Sequence, residues 1–171
     1  MAGSAPYDVT RLPGRRWKTR GMVDRSYIRV KAMAYLPNAA GTHHAVLRGH
    51  DPGGDRVFHR LIGGGIELGE RSEQAIVREV GEELQATLVD PRLLGVVENV
   101  FTYDGEQGHE VVFVYAGRLA EGDVVPLEGG WYDDVGVPMW VEWWPVDAPV
   151  EGGDGVLPLY PDGLGTLLPV G

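Results

Sequence analysis

The chain has 171 residues, of which 43% are hydrophobic and 23% charged, with a net charge of −10 and no cysteine. One domain with a proper core fits this length. The composition excludes disulfides, thiol catalysis and Cys-ligated zinc, and no apolar run approaches the roughly 18 residues that a membrane span needs.

Residues 1–25 read as an irregular basic extension, broken by Pro6, Pro13 and Gly14 and lacking the apolar stretch of a secretory leader. Eight of the fifteen Lys and Arg stand in residues 1–31, beside only Asp8 and Asp24. The rest of the chain is strongly acidic, which argues against a nucleic-acid backbone as partner, since that binding is driven by basic contacts.

Ser26 to Leu36 alternates as a strand, with Ile28, Val30 and Ala32 on one face and Arg29 and Lys31 on the other. Pro37 to Gly41 reads as a turn, and His43-His44 is also assigned to a turn. Ala45–Leu47 and Arg56–Ile62 read as strands around the turn Asp51-Pro52-Gly53-Gly54. Gly63-Gly64-Gly65 reads as a loop; it lacks the Lys-Ser/Thr that would make it a P-loop.

A helix follows. Ser72 is the expected N-cap and Glu73 supplies first-turn negative charge. At about 100° per residue, Ile76, Val77, Val80 and Leu84 share an apolar sector, while Glu79, Glu82 and Glu83 share another. Carboxylates at i, i+3 and i+4 have Cβ atoms roughly 5–6 Å apart. Three of them together could serve a divalent cation, although an acidic helical face is usually only solvated. Arg78 can reach Glu82 one turn on.

Leu93–Tyr103 and Glu110–Leu119 read as a hairpin joined through Asp104 to Gly108. Residues 121–138, acidic and rich in Gly and Pro, read as a long loop. Met139–Trp144 reads as a strand, and Leu159–Leu168 as a short helix interrupted by Pro161, Gly163 and Gly165. Trp140, Trp143 and Trp144 fit a core or a subunit interface better than a base-stacking site, and are compatible with a homodimer. The histidines lack zinc-site spacing.

The stretch from Gly64 to Ala86 carries a fuller pattern. Five residues separate Gly64 from Glu70, seven more lead to Arg78-Glu79, then come Val80, Gly81, Glu82-Glu83, Leu84, Gln85 and Ala86. This resembles the signature of the Nudix hydrolases, the MutT-like pyrophosphohydrolases. One position departs: Gln85 stands where the family has a glycine. A residue just past a helix commonly turns left-handed, which would cost Gln85 roughly 1–2 kcal/mol, and Gly81 inside the helix costs up to about 1 kcal/mol.

The resemblance implies an α/β (α+β) fold, an α/β/α sandwich around a mixed β-sheet, with the signature as loop–helix–loop. It divides the chain into the extension 1–25 and a Nudix domain 26–171. It also implies Mg2+-dependent hydrolysis of the pyrophosphate bond in a nucleoside diphosphate linked to another group, with Mn2+ able to substitute. Glu79, Glu82 and Glu83, with the Gly64 carbonyl, would hold the metal. Arg78 would orient the acidic cluster, and Glu70 would sit at the helix entrance. The general base stays open among Glu79, Glu98 and Glu110. Arg29, with Lys31, could meet the phosphates. The expected partner is a small nucleoside diphosphate derivative and the expected location cytoplasmic. The alternative, a Nudix-like module that binds a nucleotide without cleaving it, would be expected to have lost signature carboxylates; this chain keeps them all. A calcium-binding acidic protein is a poor fit, since no Asp-x-Asp-x-Asp-Gly loop is present.

Overall fold

The computed structural model describes residues 27–168 apart from 124, 135 and 154. The basic extension assigned to residues 1–25 lies outside them. Two sheets and one α-helix make the body. The first sheet, in the order β4-β1-β6-β5, is built from β1 (Arg29–Tyr35), β4 (Ile62–Gly65), β5 (Leu88–Tyr103) and β6 (Glu106–Leu119). It is mixed: β1 runs parallel to β6 and antiparallel to β4. The second, in the order β7-β8-β2-β3-β9, contains β2 (His43–Asp51), β3 (Arg56–Arg60), β7 (Gly130–Asp134), β8 (Val137–Pro145) and β9 (Leu159–Tyr160). The helix α1 spans Ser72–Leu84. None of this is long and apolar enough to form a membrane-spanning helix.

Alternation along β1 divides the core. Ala32 and Ala34 pack with Ala75, Ile76, Val80 and Leu84 of α1. Met33, on the other face, joins Val112, Val114, Leu61 and Leu164 in a second cluster. Helix α1 thus covers one side, and a 3-10 turn, Leu164–Thr166, contributes to the other. That turn and β9 stand where a terminal helix was expected over Leu159–Leu168; Pro161, Gly163 and Gly165 keep it short.

Several other elements correct the sequence reading. Gly63-Gly64-Gly65 is strand, not loop, because β4 pairs with Met33, Ala32 and Lys31 of β1. Residues 121–138 are not all loop: Trp131 and Tyr132 pair with Trp140 and Met139. His43 and His44 open β2 rather than turning. The β5–β6 hairpin is tight, pairing Tyr103 with Glu106 across Asp104 and Gly105 at φ 53° and 75°, the positive-φ pattern of a two-residue turn. Trp143 donates to the Val125 carbonyl and Trp144 packs at a tilt against buried His59, so both are packing residues.

Arg71, not Ser72, is the N-cap of α1, and its N–H donates to Gln74 Oε1 at 3.0 Å. The Ser72 hydroxyl is engaged with Tyr115 instead. Val77 lies outside the apolar sector and is exposed, while Ala75 and the carboxylate of Glu83 are buried. At the far end Gln85 does adopt the left-handed conformation, φ 54° and ψ 34°.

Candidate active site

Arg78 organises the outer face of α1. Its Nε and one terminal nitrogen grip both oxygens of Glu70, each at 2.9 Å. The other terminal nitrogen donates to Glu79 and Glu82, again at 2.9 Å, and a further bond of 2.8 Å reaches the Gly65 carbonyl. Five donors in a rigid fork make this possible; a lysine has no such geometry. The Arg78 guanidinium, with help from the Glu67–Glu70 turn, holds the Glu70 carboxyl down to about 2. In return, Glu70 above all strengthens the hold of Arg78 on its proton.

Glu83 points the other way. It is 2% exposed and accepts the Gly63 N–H at 2.7 Å and Arg60 at 2.9 Å. Arg60 also donates to the Gly63 carbonyl at 2.7 Å. Glu79 lies between these groups. Burial is the main cause that raises its affinity for a proton, opposed by Arg78 and assisted by Glu83 and Glu82. Its carboxylate rests against Gly64, where a Cβ would stand 2.5 Å from an oxygen, so a side chain there would push the Glu79 carboxylate aside. Gly63 is more tightly constrained: at φ 132° a Cβ would meet the backbone carbonyl of Ala32 at 2.2 Å, so only glycine fits there.

A cleft of about 830 Å³ opens between the sheets. Arg29, Lys31, Arg60 and Glu110 line its inner end. Glu110 is 3% exposed, held by Arg29 at 2.6 Å and Lys31 at 3.0 Å. The parallel register sets Arg29 beside Glu110. Burial lowers the affinity of Lys31 for its proton, an effect that Glu110 opposes.

The residues singled out from sequence therefore fall into two linked groups. Arg78 gathers Glu79 and Glu82, with Gly64 alongside; Arg29 and Glu110 form a second group in the cleft. Arg60 joins the two, because it pairs with Glu83 and lines the cleft. No local signal marked Arg60, a lone basic residue at the end of a short strand. Glu98 belongs to neither group: it is largely exposed, does not line the cleft, and pairs with His109 at 2.8 Å.

Among the described residues no three His, Asp or Glu side chains are gathered as a ready-made metal cluster. The donor set still suits a hard divalent cation, because Glu79 and Glu82 offer carboxylate oxygens on the Arg78 side and Glu83 lies close enough to act on Glu79. Glu79 is already burdened by the charges of Glu82 and Glu83, and a cation would relieve that repulsion.

The family model for the NUDIX domain matches residues 29–160. Among solved structures, a MutT NUDIX hydrolase from Burkholderia pseudomallei is 24% identical with a TM-score of 0.51, covering 71% of this chain and 85% of that one. A NUDIX hydrolase from Nitrosomonas europaea is 18% identical, with a TM-score of 0.49 and coverage of 71% and 74%. The solution structure of the E. coli ORF135 protein is also 18% identical, with a TM-score of 0.48 and coverage of 82% and 86%. No curated protein matches. With the domain model spanning more than half its length, the chain belongs to the Nudix hydrolase family.

Proposed function

We propose that the protein hydrolyses the pyrophosphate bond of a nucleoside diphosphate linked to another group, with Mg2+ as cofactor and Mn2+ able to replace it. The observation that carries this is the Arg78 hub, which holds Glu70, Glu79, Glu82 and the Gly65 carbonyl together in one bonded set. Glu79, Glu82 and Glu83 would hold the metal, with the Gly64 carbonyl as an added oxygen. When bound, Mg2+ would neutralise the pyrophosphate oxygens and lower the pKa of water.

The chain's own residues do the rest. Arg29, Lys31 and Arg60 present three cations to the phosphates at the inner end of the cleft. Water attacks one phosphorus, the bond from that phosphorus to the bridging oxygen breaks, and two phosphorylated fragments result. Glu79 is the candidate proton acceptor that lies beside Gly64 and the other helix carboxylates, and burial shifts its proton affinity upward, the direction a general base uses. Glu110 is occupied by Arg29 and Lys31, and would have to release them to the substrate phosphates before it could take a proton. Arg78 positions the carboxylates and touches no reacting atom.

A small-molecule substrate, a cytoplasmic setting and a homodimer belong to the same proposal. The test is Glu82→Gln. Glu82 is half-exposed and, among the described residues, pairs with Arg78 at the surface, so the fold should survive while Mg2+-dependent phosphate release is abolished. A variant as active as the parent would overturn the metal assignment. Tight nucleotide binding by the parent without turnover would favour a binding module.

A further inference from the structure

The three helix carboxylates of the candidate metal set each have a guanidinium partner, but the partnerships differ. Glu79 and Glu82 each give one oxygen to Arg78. Glu83 has both oxygens engaged: Oε1 accepts Arg60 at 2.9 Å and Oε2 accepts the Gly63 N–H at 2.7 Å. Arg78 keeps two further anchors, Glu70 and the Gly65 carbonyl. Among the described residues, Arg60 adds the Gly63 carbonyl at 2.7 Å.

The Arg60 side chain stands between two sites. Its backbone is fixed in β3, opposite Leu47 on one edge and Tyr160 on the other, so the side chain is the part that can change partner. With Arg29 and Lys31 it lines the inner end of the cleft. Burial is the main cause that lowers the proton affinity of Lys31, and the charges of Arg60 and Arg29 add to it. The three cations thus act on one another across the same space. Glu110 answers Arg29 and Lys31, whereas Arg60 is answered by a carboxylate of the helix.

A divalent ion held by Glu83 would put a double positive charge beside that guanidinium. Like charges repel most strongly where water is scarce, and Glu83 is 2% exposed. The Gly63 N–H does not depend on Arg60, so it can keep the carboxylate in place while the guanidinium gives way. What Arg60 loses at Glu83 it can regain from an anion in the cleft.

We infer that Arg60 is an exchangeable counter-ion, neutralising Glu83 in the metal-free protein and turning to the phosphates of the cleft when Glu83 takes a divalent ion. This rests on the proposed function and deepens it, because metal loading and phosphate capture become one coupled event. The coupling is reciprocal: phosphate that draws Arg60 away also opens Glu83 to the ion. Without metal, the cleft is one cation short of its full hold on a phosphate.

The test is a cycle of the full chain, Arg60→Gln, Glu83→Gln and the double variant. Arg60→Gln keeps an N–H for Glu83 and drops the charge, and thermal melts establish that each protein is folded. Should Arg60→Gln not fold, Arg60→Lys replaces it, with a smaller gain of the same sign. Electron paramagnetic resonance of free Mn2+, without substrate, should show Arg60→Gln binding the ion about tenfold more tightly than the parent. That gain should vanish in the Glu83→Gln background. Calorimetry with inorganic pyrophosphate, after removal of metal, should show Glu83→Gln binding about tenfold more tightly than the parent, with no such gain beside Arg60→Gln. Weaker or unchanged Mn2+ binding by Arg60→Gln would make Arg60 a prop for Glu83 and overturn the exchange. Gains of equal size in both backgrounds would reduce the effect to general charge repulsion and overturn it too. Either failure, with Mn2+ still bound by the parent, leaves the hydrolysis standing. No Mn2+ binding by the parent would sink the metal assignment and the exchange with it.

Discussion

Arg60 and Glu83, twenty-three residues apart in sequence, meet at 2.9 Å where the cleft touches the helix. Glu83 is almost wholly enclosed, with the Gly63 N–H on its other oxygen. Removing Arg60 leaves a buried carboxylate with a single donor. Arg60→Ala should therefore lower stability by about 2–3 kcal/mol, somewhat under the fully buried case because Arg60 itself is partly open. Adding Glu83→Gln should recover part of that loss in a double-mutant cycle measured by urea unfolding. Strictly additive effects would mean that the two side chains do not depend on each other.

Arg78→Lys keeps the charge and loses the fork. A single ammonium cannot hold both oxygens of Glu70, bond Glu79 and Glu82, and still reach the Gly65 carbonyl. The carboxylates would keep their positions only loosely, and kcat should fall about a hundredfold with little change in melting temperature. Steady-state rates against a fixed substrate at saturating Mg2+ would show it. A drop confined to KM would instead place Arg78 in direct contact with substrate.

Gln85 ends the helix in the left-handed conformation, where an L side chain is strained. Gln85→Gly should therefore stabilise the fold by about 1 kcal/mol. Gln85→Ala should not, since the Cβ remains. Urea midpoints of the three proteins decide the matter, and activity should be the same in all of them, because Gln85 touches none of the carboxylates in the bonds described above.

His44 carries a pH dependence of known sign. It is 2% exposed, and burial, followed by the neighbouring His59, lowers its pKa to about 4. Above pH 6.5 the ring is neutral whether folded or not, so stability is full. Between about 6.5 and 4 only the unfolded chain takes up the proton, and stability falls as pH falls. The loss reaches about 3 kcal/mol near pH 4. His44→Phe retains the ring contact with Tyr35 and should flatten that part of the unfolding curve between pH 4 and 6.5. An unchanged slope would assign the loss to other groups.

The helix and its carboxylates were legible because both signals are local: a 3.6-residue period and fixed spacing between Glu70, Arg78 and Glu83. Strand β4 was not, because three glycines carry no periodic pattern. What makes them strand is pairing with β1, which brings the Ala32 backbone so close to Gly63 that no side chain fits there. Strand β7 was hidden for a related reason. Trp131 and Tyr132 sit among Gly and acidic residues that read as loop, and only pairing with Trp140 and Met139 makes them strand. The cleft was the least legible part. Its walls juxtapose residues from six strands, and the Arg60–Glu83 pair leaves no mark in the linear sequence.

Strand β1 takes part in both ladders at once, with Lys31 opposite Gly65 on one edge and Arg29 opposite Glu110 on the other. A slip of one residue would turn Ile28 and Val30 into the cleft and swing both cations to the opposite face. The helix loop and the cleft floor would lose alignment in the same step. Length changes in this protein are thus tolerable in the connections, such as the Pro37–Thr42 bend, and not within the seven residues of β1. A single inserted alanine there should be more damaging than most substitutions in the site itself.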